Sequence, residues 1–254
     1  MIDTLDVLGD KWGPSITGDR LVLYFAVSGE TSEKIYRSTR AAKDQPFGAA
    51  TEVTELNAIA RQGTPYVSYD DTSIYFFRQT TDNQNSRDLW HASRASPSEP
   101  FSNLAELSEL SSNYREHLPW LTRDELTIYF ASARATSSWE TDLWMATRTS
   151  VTAEFGDITI ISGLDDGESE DQSPALTPDG LTLYFTTDYL TSLDVYSATR
   201  SAIDDDFGAP TREDELSSSG DDTNLTLSPD GREIFISSER SGSQELWVAI
   251  RDCD

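Results

Sequence analysis

The chain has 254 residues and a formal net charge of -26, from 45 acidic and 19 basic side chains. That length can bury a large core, while the charge opposes the phosphate backbone of nucleic acids and anionic membrane surfaces. No run of eighteen apolar residues is present to insert a helix into a bilayer, so cationic ligands, divalent metals and basic protein surfaces are the partners that electrostatics favours.

Cys253 is the only cysteine, which excludes an intramolecular disulfide and a thiolate metal site. The opening residues Met1 to Asp6 lack the basic and apolar regions of a signal peptide. Lysine occurs only at Lys11, Lys34 and Lys43, and an acidic, lysine-poor composition is also the pattern of salt-adapted proteins.

Read in chain order, the sequence repeats itself five times with a period of roughly 51–55 residues. The copies occupy 14–64, 65–118, 119–173, 174–224 and 225–254, the last completed by 1–13, which predicts a single domain over 1–254. The first copy opens with Pro14-Ser15-Ile16-Thr17 and Asp19 and runs to Tyr24-Phe25. Ile35-Tyr36 with Arg40, then Phe47 and Leu56, follow. The second has Pro65-Tyr66-Val67-Ser68, Asp70, Tyr75-Phe76, Leu89-Trp90 with Arg94, Phe101 and Leu110. The third has Pro119-Trp120-Leu121-Thr122, Asp124, Tyr129-Phe130, Leu143-Trp144 with Arg148, Phe155 and Leu164. The fourth has Pro174-Ala175-Leu176-Thr177, Asp179, Tyr184-Phe185, Val195-Tyr196 with Arg200, Phe207 and Leu216. The fifth has Leu225-Thr226-Leu227-Ser228, Asp230, Phe235-Ile236 and Leu246-Trp247 with Arg251.

Each copy reads as four short antiparallel strands. The first is the Pro-x-apolar-Ser/Thr segment. A tight turn follows in which Pro presets φ, Asp bonds the nearby backbone and Gly takes positive φ, as at Pro178-Asp179-Gly180 and Pro229-Asp230-Gly231. The second strand is the alternating run that ends in Tyr-Phe. The third carries the aromatic before the Arg, and the fourth includes Ile158-Thr159-Ile160-Ile161. Five such units predict an all-β, five-bladed β-propeller. Leu5 precedes Pro14 by the distance that separates Leu56 from Pro65, so the first residues are predicted to supply the outer strand of the fifth blade. That pairing closes the ring and hides two sheet edges.

The Ser/Thr-Pro-Asp-Gly turn, the apolar-Tyr-Phe strand and Asp-Leu-Trp together resemble the WD-repeat-like propeller repeats of the TolB type. The likeness is strongest over Thr177–Phe185 and Ser228–Ile236. At the Gly position the first three copies carry Arg20, Asp71 and Glu125. The resemblance implies a propeller of the bacterial periplasm or the extracellular space that binds proteins or glycans. Its motif is structural and carries no catalytic residue.

The recurring aromatics (Tyr36, Trp90, Trp144, Tyr196, Trp247) are expected to fill the wedges between blades, and the Arg and Asp series to tie turns and blades. Function is expected where copies differ, at the mouth formed by the loops leading into strand one and those between strands two and three. Trp12, Tyr66 and Trp120 would offer flat faces to a sugar or another ring, with Gln62, His117 and Gln172 hydrogen-bonding it. Glu116, Asp171 and Asp222 would gather around a hard cation such as Ca²⁺. The acidic run Asp165 to Asp171 lacks full calcium-loop spacing. Arg78, Arg134, Asp188, Tyr189, Glu239 and Arg240 would line the same mouth from the second loop.

The resulting expectation is a monomeric, non-catalytic binding module with no required cofactor, for a protein or glycan ligand. A second reading is a glycoside-active enzyme using Glu116 and Asp171 as the carboxylate pair that such chemistry requires. A third is a structural module of a longer chain.

Overall fold

Runs rich in Val, Ile, Thr, Tyr and Phe, with polar residues in alternation, favour pleated strands whose successive side chains point to opposite faces. The computed structural model describes all residues except 3, 6–8, 30–31, 58–60, 82–85, 136–139, 165–168, 190–191 and 252–254. The acidic residues 165–168 and Cys253 therefore lie outside the described residues.

Among the described residues, nineteen strands form five blades. The first holds β1 (Asp10–Ile16), β2 (Val22–Ser28), β3 (Glu33–Thr39) and β4 (Thr51–Glu52). The second holds β5 (Arg61–Val67), β6 (Ser73–Gln79), β7 (Arg87–Ser93) and β8 (Ser102–Glu106). The third holds β9 (Glu116–Leu121), β10 (Thr127–Ser132), β11 (Asp142–Thr147) and β12 (Gly156–Ile160). The fourth holds β13 (Asp171–Leu176), β14 (Thr182–Thr187), β15 (Asp194–Thr199) and β16 (Thr211–Arg212). The fifth holds β17 (Asp222–Leu227), β18 (Glu233–Ser238) and β19 (Glu245–Ile250). Pairing within each blade is antiparallel and follows chain order. One parallel bridge, Glu33 to Arg61, joins the first two blades.

The turn between the first two strands is built alike in every copy. Thr17 Oγ1 donates to Asp19 Oδ1 at 2.6 Å, and that carboxylate accepts Leu21 N at 2.9 Å. Ser68 and Asp70, Thr122 and Asp124, Thr177 and Asp179, and Ser228 and Asp230 repeat the pair. The hydrogen bond from Thr122 to Asp124 and that from Thr177 to Asp179 hold these carboxyls below the usual range.

The Tyr-Phe pair at the end of strand two explains the core. Adjacent residues of a strand face opposite sides, so Tyr24 enters the wedge shared with the second blade and Phe25 the wedge shared with the fifth. The same split places Phe76 between blades one and two, Tyr75 and Phe130 between two and three, Tyr129 and Phe185 between three and four, and Tyr184 between four and five. Five apolar clusters therefore fill five wedges. The recurring Trp and Tyr of strand three pack against these clusters as the sequence predicts.

Closure is visible in one recurring hydrogen bond. Val53 N donates to Ile35 O, Leu107 N to Leu89 O, Ile161 N to Leu143 O and Glu213 N to Val195 O. In the fifth blade the donor is Ile2 N, 2.8 Å from Leu246 O. Leu5 is buried in the cluster that also holds Phe235, Leu246, Leu23 and Phe25, which span the fifth and first blades. The N-terminal residues thus take the outer place in the last blade.

The Arg series links three of the repeated lines. Arg40, Arg94, Arg148 and Arg200 each donate Nε to the main-chain carbonyl of the turn residue at 20, 71, 125 or 180. Each guanidinium also lies over the Phe seven residues on, at 4.1 to 4.6 Å.

Candidate ligand site in the central channel

The innermost strands surround the axis, and a register shift in each decides what lines it. Gly13, Thr64, Leu118, Ser173 and Asn224 have φ of 61°, 45°, 56°, 56° and 52°. The ladder slips at this point in all five copies, as β-bulges do. These bulge residues, Pro14, Pro65, Pro119, Pro174 and Leu225 beside them, and Ser15, Tyr66, Trp120 and Thr226 surround a void of about 20 Å³ at that end of the channel. Among the described residues, bulged backbone and proline rings make this part of the channel narrow.

The channel widens toward the opposite face, where the turns between strands one and two lie. There a cavity of about 320 Å³ is walled by Ile16, Val67, Leu121, Leu176 and Leu227. Tyr66 and Trp120 line both the throat and this cavity, so they stand between the two. Their rings are 6.0 Å apart, and Trp120 meets Tyr129 edge-on at 5.8 Å. The Tyr66 hydroxyl donates to Leu121 O, and burial pushes its pKa up. Tyr69, Arg123, Pro178, Pro229 and Ile203 contribute to the cavity from the turns and beyond. Tyr69 and Ile203 are exposed large hydrophobic residues, and the Arg123 guanidinium lies 3.8 Å over the Tyr69 ring. Asp179 is the one carboxylate in the lining, and it is already engaged by Thr177 Oγ1 and Leu181 N.

Of the six ligand-binding candidates, Tyr66 and Trp120 are brought together at this cavity. Trp12, Gln62, His117 and Gln172 line neither compartment. Trp12 stacks on Phe77 at 5.9 Å and donates Nε1 to Ser28 Oγ at 2.9 Å. Gly63 makes room for it, since a Cβ there would lie 2.5 Å from the indole. Trp12 thus packs between the first two blades. Gln62 is fully buried and donates to Glu33 O. Gln172 is half-buried in β13 opposite Thr186. His117 is buried, and burial, with Arg115 and Arg87 nearby, lowers its pKa well below the ordinary value, so it is neutral.

The three acids expected to share a cation are each buried at the start of an innermost strand. Glu116 accepts from Ser112 Oγ at 2.6 Å, Ser132 Oγ at 2.8 Å and Arg134 at 3.3 Å, and burial raises its pKa. Asp222 accepts from Ser218 N and from Arg240 at 2.7 Å. Asp171 is held through its main chain by Thr141. Among the described residues no group of three or more His, Cys, Asp or Glu is placed to hold a metal ion.

Four of the six second-loop residues bond the main chain of the preceding blade. Arg78 donates to Leu56 O at 2.8 Å, Arg134 to Leu110 O, Tyr189 to Leu164 O at 2.6 Å and Arg240 to Leu216 O at 2.6 Å. Arg78, Arg134 and Arg240 also cover Trp90, Trp144 and Trp247 at 4.7 to 5.3 Å. With Tyr189, they latch blades two to five each to its predecessor. The sequence reading overlooked the turn-face positions Gly18, Tyr69, Arg123, Pro178 and Pro229. They differ in every copy but the last two, and the rule that function sits where copies differ would have found them there.

Fold and channel together define an all-β, five-bladed β-propeller with an apolar cavity on its axis. No protein-family model matches the chain, and no curated protein matches its sequence. Among solved structures it is similar to an α-L-arabinofuranosidase from Lactobacillus brevis, with TM-score 0.66 and 12% identity over 99% of this chain and 94% of that one. It is also similar to an endo-arabinase from Bacteroides thetaiotaomicron, with TM-score 0.65 and 13% identity over 99% and 97%. A putative TolB from Agrobacterium tumefaciens gives TM-score 0.59 and 12% identity over 94% and 76%. The likeness reaches both glycoside-hydrolase and TolB-like propellers at low identity, and what it establishes is the fold.

Proposed function

We propose that this propeller is a non-catalytic recognition module that takes an apolar ligand group into the channel from the turn face. The observation that carries this reading is the cavity of about 320 Å³, floored by Tyr66 and Trp120 and walled by aliphatic residues. A concave, mostly apolar pocket with a few polar groups at its edge is the usual form of a binding site. The hydroxyls of Tyr66, Thr122, Thr177 and Ser228 already have partners. This favours a protein side chain or another apolar group over a sugar, whose hydroxyls would lose water without replacement.

The competing reading, glycoside hydrolysis by Glu116 and Asp171, draws on the likeness to arabinan-active enzymes. Against it, Glu116 is fully buried and saturated by two serines and an arginine. Neither residue lines the cavity, where that chemistry would need two carboxylates flanking the substrate.

The test is calorimetric titration with apolar peptides and with oligosaccharides, alongside an aryl-glycoside assay, on the wild type and on Trp120→Ala with its fold checked by circular dichroism. Peptide binding lost in Trp120→Ala supports the reading. Turnover of aryl-glycosides that Glu116→Gln abolishes would replace it with the enzymatic one.

A further inference from the structure

A chain of net charge -26 pairs most of its cations with carboxylates. Two arginines at the turn-face cavity, Arg123 and Arg200, form no ion pair with any described residue. Arg200 is anchored by its Nε on Gly180 O at 2.9 Å and by the Phe207 ring. Arg123 is exposed, and its guanidinium carbon lies 3.8 Å from the centre of the Tyr69 ring, a cation–π contact that places the charge at the cavity opening. Its neighbour Asp124 makes no ion pair with it, and Asp124 Oδ1 accepts from Thr122 Oγ1 at 2.7 Å and Leu126 N at 3.0 Å.

Resting on the reading that this cavity is the binding site, we infer that its ligand is an apolar or aromatic group that bears a carboxylate. The apolar body fills the space above Tyr66 and Trp120, and the carboxylate meets Arg123 at the opening. A guanidinium presents paired N–H donors that match the two oxygens of a carboxylate. The overall charge repels an anion at a distance, but the Debye length is about 8 Å at physiological ionic strength, and at the opening the lining carboxylate, Asp179, is engaged by Thr177 Oγ1 and Leu181 N while Arg123 and Arg200 form no ion pair with a described residue. A free aromatic acid and the C-terminal residue of a peptide share this chemistry.

Titration calorimetry with 3-phenylpropionate, its amide, the peptide Ala-Ala-Phe and the peptide amide separates the possibilities. The acids are expected to bind about tenfold more tightly than their amides. Arg123→Gln should erase that difference, while Arg232→Gln, an equal loss of charge at another exposed site, should preserve it. A peptide acid that outbinds phenylpropionate identifies a chain terminus as the source, and equal affinities identify a small acid. Acids and amides binding equally to the wild type would overturn the inference and leave the apolar cavity standing as the site. No binding by any of the four, with Trp120→Ala no different from wild type across the wider peptide panel, would remove both.

Discussion

Glu125 occupies a turn position with φ of 57°, a left-handed backbone that costs a non-glycine residue about 1 kcal/mol. Asp71 and Arg20 stand at the same place with φ of 60° and 64°, where the last two copies use Gly180 and Gly231. The strain has a counterpart across the blade junction. Glu125 accepts from the Tyr75 hydroxyl of the preceding blade at 2.7 Å, and Arg148 joins them at 2.9 Å. Asp71 repeats this with Tyr24 and Arg94. In the first blade the charges are reversed, and Arg20 reaches Glu233 and Asp230 of the fifth. A buried, charge-assisted hydrogen bond contributes about 1.5–3 kcal/mol, more than the turn strain it offsets. Glu125→Gly should therefore destabilise the protein by about 1–2 kcal/mol in urea unfolding, although it relieves the backbone. In a Tyr75→Phe background the loss should shrink. Stabilisation by Glu125→Gly alone would show the tie to be weaker than the strain. The sequence displays these three departures from glycine, but their reason is a partner some 50 residues away in the preceding blade, or in the fifth blade for Arg20, which only the fold brings near.

Strands in a propeller are stabilised by their place in the ring, and the fifth blade shows this best. Its sheet has three strands of its own, β17 to β19, and its outer position is filled from the N-terminus by Ile2 and Leu5. Leu5→Ala removes a side chain that is 1% exposed, so it should cost about 2–5 kcal/mol, comparable to Leu56→Ala at the equivalent place in the first blade. A melting temperature unchanged by Leu5→Ala but lowered by Leu56→Ala would mean that the N-terminal segment does not lock the ring. This closure could be read from spacing alone, because Leu5 keeps the interval of Leu56 and Leu110. The throat could not. The left-handed residues before the proline column include Leu118 and Thr64, which have no local preference for that conformation, and their register shift decides which residues meet on the axis.

At the scale of the molecule, 45 acidic and 19 basic side chains set self-repulsion against the compact state. The ties between blades are partly or wholly buried, as for Arg94 with Asp71 and Arg40 with Glu233, and salt screens them less than it screens the exposed acids. Raising KCl to about 1 M, where the Debye length falls to ~3 Å, should therefore raise the melting temperature. A fall would mean that the ion pairs matter more to stability than the repulsion does. The same geometry bears on the channel. Five innermost strands leave little room on the axis, so side-chain volume there determines where the channel is wide. Proline rings and bulged backbone line the narrow part, and the channel widens into the cavity among the turns.

The amino-acid sequence by itself determined the repeat, the number of blades, the strand order and the closing role of the N-terminus. Those follow from local periodicity and turn chemistry, which recur at every copy and need no knowledge of distant contacts. Tertiary structure alone decided which polar residues are free to act. Glu116, Asp222, Arg134 and Arg240 have the chemistry of a site, but neighbouring strands and blades supply partners that saturate them. Arg123 looks ordinary in the chain and meets the cavity only because the ring brings five turns around one axis. A buried polar group must find a partner within the fold, whereas a group at an opening can keep its hydrogen-bonding capacity for a ligand.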